Sequence, residues 1–249
     1  MALLSPWFDR VVVDARPAWW KLGGVLALRQ TLRGFGMVYD LQTSSRSGFY
    51  YAVAGRPPWS GIARGASHRH VNPARDNMHT LDRQAEQLAV AGVPPVPPTL
   101  DWWPTTIEPG AYAVLVPAAA PHRPRKRWPS QHFAALAVAL QAQGLRPIVV
   151  GTGADGDLAE TIMAACPTAL NLTGRTSLIE LGGVMRAARL AVGNDTGPMH
   201  LAAALGLRSV VLYSADSDPA LTAPRGSVTV LQQPDLADLP VDRVLAALA

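Results

Sequence analysis

From Ala111 to Tyr213 the chain alternates short apolar runs with helix-like stretches, and no other feature limits its fold as tightly. The strand candidates read AYAVLVP (111–117), RPIVVG (146–151), TALNLTG (168–174), RLAVGN (189–194) and RSVVLY (208–213). Between them lie SQHFAALAVALQAQG, DGDLAETIMAAC, SLIELGGVMRAA and GPMHLAAALG, each long enough for a helix. Runs that are apolar throughout must be buried on both faces, which is the pattern of parallel strands covered by crossover helices. The spacing therefore predicts a doubly wound α/β domain, with ligands bound at the carboxyl ends of its strands.

The first hundred residues repeat this alternation more weakly. RVVVDA (10–15) reads as a buried strand, 19–36 as an amphipathic helix ending at glycine, and MVYDLQ (37–42) as a second strand. SGFYYAVAG reads as a short helix, 64–77 as an irregular basic segment containing histidine, and 78–93 as a further helix. The run PPVPPTLDWWPTTIEPG (94–110) carries six prolines and neither apolar period, so it is the expected linker. Two domains follow, residues 1–100 and 101–249, with the tail VDRVLAALA (241–249) a terminal helix that packs back toward the linker.

With 249 residues and 49% hydrophobic content the chain can bury a sizeable core. A lone Cys166 allows no internal disulfide, and neither a secretory leader nor a membrane-length apolar run is evident, so a cytoplasmic protein is expected. The net charge of +4 rests almost wholly on arginine, Lys21 and Lys126 being the two lysines. Such a balance suits anionic partners in general and selects none.

Three motifs fall where a doubly wound sheet binds ligands. In GNDTGPMHLAAALG (193–206) a strand ends on Asn194, Asp195, Thr196 and Gly197 and a helix begins, offering unpaired amides and a partial positive charge to an anion. A plain capping turn, with Asp195 as cap, is the competing reading. HRPRKRWP (122–129) places Lys126 and its arginine neighbours after the first strand of the domain, where they can face the same crevice; a solvated basic loop is the competing reading, and for any single arginine the better one. GTGADG (151–156) has the dinucleotide-binding spacing, but TALNLTGRT offers no acidic residue for a ribose, so an NAD-binding protein is the weaker alternative and a tight glycine turn the structural one. Asp216 and Asp218 read as a capped turn, and His68, His70 and His79 fit no zinc spacing, so no metal site is expected.

Taken together, KRWPSQHFAAL (126–136), VVGTGADGDLAETI (149–162), NLTGRTSLIEL (171–181) and GNDTGPMHLAAALG occur in the order and spacing of one family. The chain resembles the ADP-heptose:lipopolysaccharide heptosyltransferases, glycosyltransferase family 9, which have a GT-B fold of two facing Rossmann-like domains. YDLQTSSRS (39–47) and NMHTLDRQAEQLAVAGV (77–93) look like N-terminal segments of the same family. The resemblance implies an inverting, metal-independent transfer of a sugar, heptose by the family's pattern, from an ADP-sugar to a lipopolysaccharide-core or related glycan acceptor. It implies no cofactor and no nucleic-acid partner, and allows peripheral contact with the inner-membrane face.

By the same resemblance Asp195, Thr196 and Gly197 contact the diphosphate and its sugar, with His200 close by. Lys126 neutralises the departing phosphate, Asp155 stands where the family has a ribose-binding Glu, and Thr176 lies beside the adenine. The chain departs from the family where VPAAAPHRPRKRWP replaces a phosphate loop of glycine and small hydroxyl residues. It also starts where the family has its third strand, so the N-terminal domain is expected to be incomplete and the usual aspartate base absent. Asp40, at the end of MVYD, is the substitute base that can be named. The alternative function is a catalytically inactive nucleotide-sugar-binding remnant.

Overall fold

A computed structural model describes residues 5–14, 16–18, 20–96, 99–120 and 123–248. The expectations at Ala15, Trp19, Pro97, Pro98, His122 and Ala249 lie outside the described residues. The chain forms two compact units, Asp9–Pro97 and a second made of Met1–Phe8 with Pro98–Ala249. The division falls within the expected linker, three residues before the expected boundary, and the first residues join the second unit, where Trp7 stacks edge-on against Trp102.

The first unit runs α1 (Leu22–Arg33), β1 (Val38–Tyr39), α2 (Ser45–Val53), β2 (Trp59–Gly61), β3 (His68–Arg69) and α3 (Thr80–Val90). Its three strands pair in parallel in the order β1-β2-β3. Ser44 and Ser47 form a reciprocal cap that starts α2, and the His79 Nδ1 accepts from the Leu81 amide to start α3. A small core gathers Tyr51, Trp59 and Ala63, with Tyr51 donating its hydroxyl to the Gly65 carbonyl at 2.6 Å.

Two expectations fail here. The described part of RVVVDA forms no strand: Val12 is 49% and Val13 85% exposed, and no ladder among the described residues pairs with them. A valine run specifies a strand only when a partner edge accepts its hydrogen bonds. The segment 64–77, expected to be irregular, instead supplies β3 and a single 3₁₀ turn at Arg75–Asn77. The α1 helix forms as expected but buries none of its residues, and exposed apolar side chains concentrate between Trp7 and Leu41.

The second unit continues with β4 (Tyr112–Val116), α4 (Ser130–Ala142), β5 (Arg146–Val149), α5 (Gly156–Ala165), β6 (Leu170–Asn171) and α6 (Leu178–Ala187). Then follow β7 (Leu190–Asn194), α7 (Gly197–Ala204), β8 (Ser209–Tyr213), α8 (Pro219–Thr222), β9 (Val228–Gln232) and α9 (Val241–Ala246). The six strands are all parallel in the order β6-β5-β4-β7-β8-β9. Strand residues alternate between two cores: Leu115, Val149, Val192 and Leu212 meet α4, α5 and α9, while Val114, Ile148, Ala191 and Val211 meet α6 and α7. This is the doubly wound sheet the apolar runs predict, extended by β9, which those runs do not announce.

Two packing details depart from expectation. The tail helix α9 lies on α4, with Val244 fully buried beside Leu136 and Leu140, and does not return to the linker. The linker itself is a strap on α6: the Trp103 indole donates to the Ile179 carbonyl at 3.0 Å, Thr106 to the Glu180 carbonyl at 3.1 Å, and Arg186 to the Leu100 carbonyl at 3.1 Å. Gly182 and Gly183 admit it, since a Cβ on the first would overlap the Trp103 indole and on the second the Thr106 side chain.

Candidate functional site

Strand order in the second unit reverses between β4 and β7, so the loops after these two strands open the crevice where such sheets bind ligands. Both loops carry predicted residues. Lys126, in a 3₁₀ turn after β4, places its Nζ 2.7 Å from the Asp195 Oδ2 after β7, and both side chains are only 11% exposed. The Ser217 hydroxyl donates to the same oxygen at 2.8 Å. Burial pushes the Asp195 carboxyl up, but the hydrogen bonds from Lys126 and Ser217 and the lysine charge outweigh it and hold the group below the usual carboxylate range. The nearby Tyr213 phenol is pushed well above its ordinary value by burial, and the charge on Asp195 adds to that.

Asn194 holds this arrangement together. It is fully buried, its Nδ2 donates to the Pro117 carbonyl at 2.8 Å, and its Oδ1 accepts from the Trp128 amide at 3.0 Å. Trp128 is anchored in turn by its indole, which donates to the Leu239 carbonyl at 2.9 Å. The loop bearing Lys126 is thus fixed at its start through Pro117 and at its end through Trp128. Gly193 allows the close fit, because a Cβ there would meet Val116 at 2.6 Å and Met199 at 2.7 Å.

The capping-turn reading of Asp195 is not what the chain does. Thr196 is the residue that precedes α7, its hydroxyl makes no capping hydrogen bond, and the Asp195 carboxylate is engaged with Lys126 and Ser217. At the start of α7 Pro198 has no N–H and the Met199 amide donates to the Thr196 carbonyl at 3.0 Å, which leaves the Gly197 amide and the Thr196 hydroxyl for a ligand. Gly197 is exposed with open space where its side chain would be, and His200 is exposed one turn further along α7.

Beside these residues lies a cavity of about 670 Å³, within the usual range for small-molecule sites. Its walls include Ala119, Arg127, Asp155, Thr176, Thr196 and Pro198. They come from the loops after β4 and β5 and from the starts of α6 and α7, so three of the predicted residues share one space. Lys126 and Asp195 adjoin it through their neighbours Arg127 and Thr196. Arg127 donates to the Ala119 carbonyl at 3.1 Å while its buried Nε has no partner among the described residues.

Asp155 is spent locally. Its Oδ2 accepts from the Thr152 amide at 2.8 Å and the Thr152 hydroxyl at 2.6 Å, closing the GTGADG turn as a reciprocal cap. Gly174, at φ +69°, lets the next loop touch that turn, with Gly153 Cα 2.9 Å from its would-be Cβ. Asp40 lies in the other unit and is 6% exposed; its Oδ1 accepts from the Thr43 amide at 2.9 Å, and its Oδ2 has no partner among the described residues. Asp218 caps α8, and among the described residues no group of three or more metal-ligating side chains converges.

Parallel sheets, a reversal-point crevice and a lysine–aspartate pair beside a cavity of about 670 Å³ define a protein of the Rossmann-like class. Similarity to known proteins gives the class a family. The family model described as glycosyltransferase family 9 (heptosyltransferase) matches residues 25–236, and the chain belongs to that family. Over 106 residues it is 38% identical to lipooligosaccharide heptosyltransferase 2 of Haemophilus influenzae and to lipopolysaccharide heptosyltransferase 2 of Escherichia coli. That stretch is 41% of this chain and spans 30% of the length of each relative. The solved structure of E. coli ADP-heptose LPS heptosyltransferase II superposes with a TM-score of 0.71 at 25% identity, covering 92% of this chain and 80% of that one. The fold is accordingly the α/β fold with parallel sheets of the GT-B heptosyltransferases.

Proposed function

We propose that the chain is a glycosyltransferase that moves heptose from an ADP-sugar to a lipopolysaccharide-core or related glycan acceptor. The observation that carries this reading is the Lys126–Asp195–Ser217 cluster at the strand-order reversal, beside a cavity of about 670 Å³ lined by Asp155, Thr176 and the apolar side chains of Val116, Val150 and Leu178. Likeness to the E. coli ADP-heptose LPS heptosyltransferase II supports the donor. In the proposed reaction an acceptor hydroxyl attacks the anomeric carbon, the bond from that carbon to the diphosphate oxygen breaks, and configuration inverts. Lys126 and the Gly197 amide at the start of α7 neutralise the ADP as it leaves, without a metal. Thr176 and Asp155 stand at the nucleoside end, Thr196, Gly197 and His200 at the sugar-diphosphate end. Peripheral contact with a membrane face fits the apolar side chains exposed between Trp7 and Leu41.

A second reading, nucleotide-sugar binding without transfer, is favoured by one observation. Asp40, the nameable base, is buried and caps its own turn.

The test is the thermal midpoint of the full chain with saturating ADP, UDP or NAD. At about 100 times its dissociation constant a ligand stabilises the native state by roughly 2.7 kcal/mol. A shift with ADP alone is the expected result, and a shift with NAD alone or with none of the three overturns the donor assignment. Incubation of ADP-heptose with acceptor glycan, with and without a chelator, then separates the two readings. Turnover that survives chelation and is lost in Asp40→Asn supports transfer with Asp40 as base, whereas ADP binding without turnover supports the second reading.

A further inference from the structure

The charges around the cavity of the second unit are not yet matched to a diphosphate, in which each phosphate carries negative charge. Lys126 is one cation beside it, but its ammonium already faces the Asp195 carboxylate at 2.7 Å. Among the described residues that line the cavity, Arg127 is the one cation. Asp155, the acid on the same wall, turns its Oδ2 to the Thr152 amide and hydroxyl. Among the described residues no carboxylate oxygen lies within ion-pair distance of Arg127.

The backbone fixes where this charge points. The Arg127 amide donates to the Pro124 carbonyl at 3.0 Å, and the Trp128 amide that follows is held by the buried Asn194. From that anchored position the guanidinium reaches back eight residues to the Ala119 carbonyl, a neutral acceptor, at 3.1 Å. This is its one hydrogen bond among the described residues, and its Nε is buried without a partner. A guanidinium has five N–H groups, so most of its donors remain available. The segment it braces has no side-chain donor of its own: Ala118, Ala119 and Ala120 all line the cavity and present methyl groups. A partly buried cation is ordinarily matched by an anion, and the protein supplies none here.

We propose that Arg127 grips a phosphate of the sugar-nucleotide donor and brings the counter-charge that Lys126, paired with Asp195, leaves short. This rests on the reading of the cavity as an ADP-sugar site and adds to it a contact made by direct touch. The planar fork of arginine suits two phosphate oxygens, and the Ala119 carbonyl sets the plane of that fork before the ligand arrives.

The test is calorimetric titration of the full chain, wild type and Arg127→Gln, with adenosine, AMP and ADP. The wild type is expected to bind ADP more tightly than adenosine. Arg127→Gln should lose about tenfold or more in ADP affinity, the scale of a hydrogen bond to a charged group, while adenosine binds both chains alike. A loss shared by AMP puts the contact at the phosphate next to the ribose, and a loss confined to ADP puts it at the outer one; either supports the proposal. If Arg127→Gln does not fold, Arg127→Lys takes its place, with a severalfold loss for ADP and none for adenosine, because an ammonium cannot reproduce the fork. A folded variant that binds ADP like the wild type overturns the proposal, as does one that weakens adenosine as much as ADP, which would make Arg127 a brace for its loop alone. A wild type that binds none of the three overturns the ADP-sugar reading and this assignment together, whereas wild-type ADP binding with an unaffected variant overturns this assignment alone.

Discussion

At the scale of single residues, the Lys126–Asp195 pair is where charge, burial and position meet. Removing the lysine strips a nearly buried carboxylate of its counter-charge, and leaving a buried charged group under-satisfied costs more than the roughly 1–3 kcal/mol of a neutral one. Lys126→Ala should therefore lower the thermal midpoint and abolish the shift with ADP, with Lys126→Arg restoring part of both. A normal ADP shift in Lys126→Ala would remove the lysine from the donor site. The pair also sets a pH dependence. A carboxyl held below its usual range adds stability that is present above its unfolded pKa and lost as pH falls through its folded one. The midpoint gap between wild type and Asp195→Asn should stay level from neutral pH down and close below about pH 4; a gap that closes at higher pH contradicts the assignment. Lys126 and Asp195 were legible because each sits at a strand end in a regular alternation. Ser217 was not, and although Asn194 was visible at its strand end its partners were not, since these contacts arise from loops brought together by the sheet, 22 and 77 residues apart in the chain.

Elements differ in how far their residues announce them. The strands β4, β5, β7 and β8 are apolar runs buried on both faces, so composition alone marks them. Strands β1, β2 and β3 have two or three residues each, and such lengths depend on the ladder they join rather than on their own pattern. The same logic explains RVVVDA, whose valines satisfy the pattern while no edge among the described residues receives them. Strap and helix make the opposite point: prolines argue against a helix and the described residues of 94–110 form none, but nothing local foretold that Trp103 would be 2% exposed against α6. Its acceptance depends on the Gly182–Gly183 pair, and a methyl group at either position must displace the indole or Thr106. Gly182→Ala should lower stability by about 1–3 kcal/mol, the cost of overpacking, read as a lower thermal midpoint. Trp103→Ala in the same chain should absorb much of that penalty, and strict additivity of the two changes would mean the indole is not the obstacle.

Across the molecule the two units are unequal. One is organised around six parallel strands with cores on both faces, the other around three short strands and a small cluster at Tyr51 and Trp59. Differential scanning calorimetry of the full chain is expected to show two transitions, with ADP raising the larger one alone; a single transition moved as a whole would mean the units unfold together. The strap bears on how the chain can be divided. Its prolines suggest a free joint ending near Gly110, yet Leu100, Trp103 and Thr106 are already committed to α6. A fragment begun at Thr99 would carry its own outer wall, whereas one begun at Tyr112 would bare a groove floored by two glycines and the apolar flank of α6. The dissection point therefore lies about a dozen residues earlier than the prolines advertise.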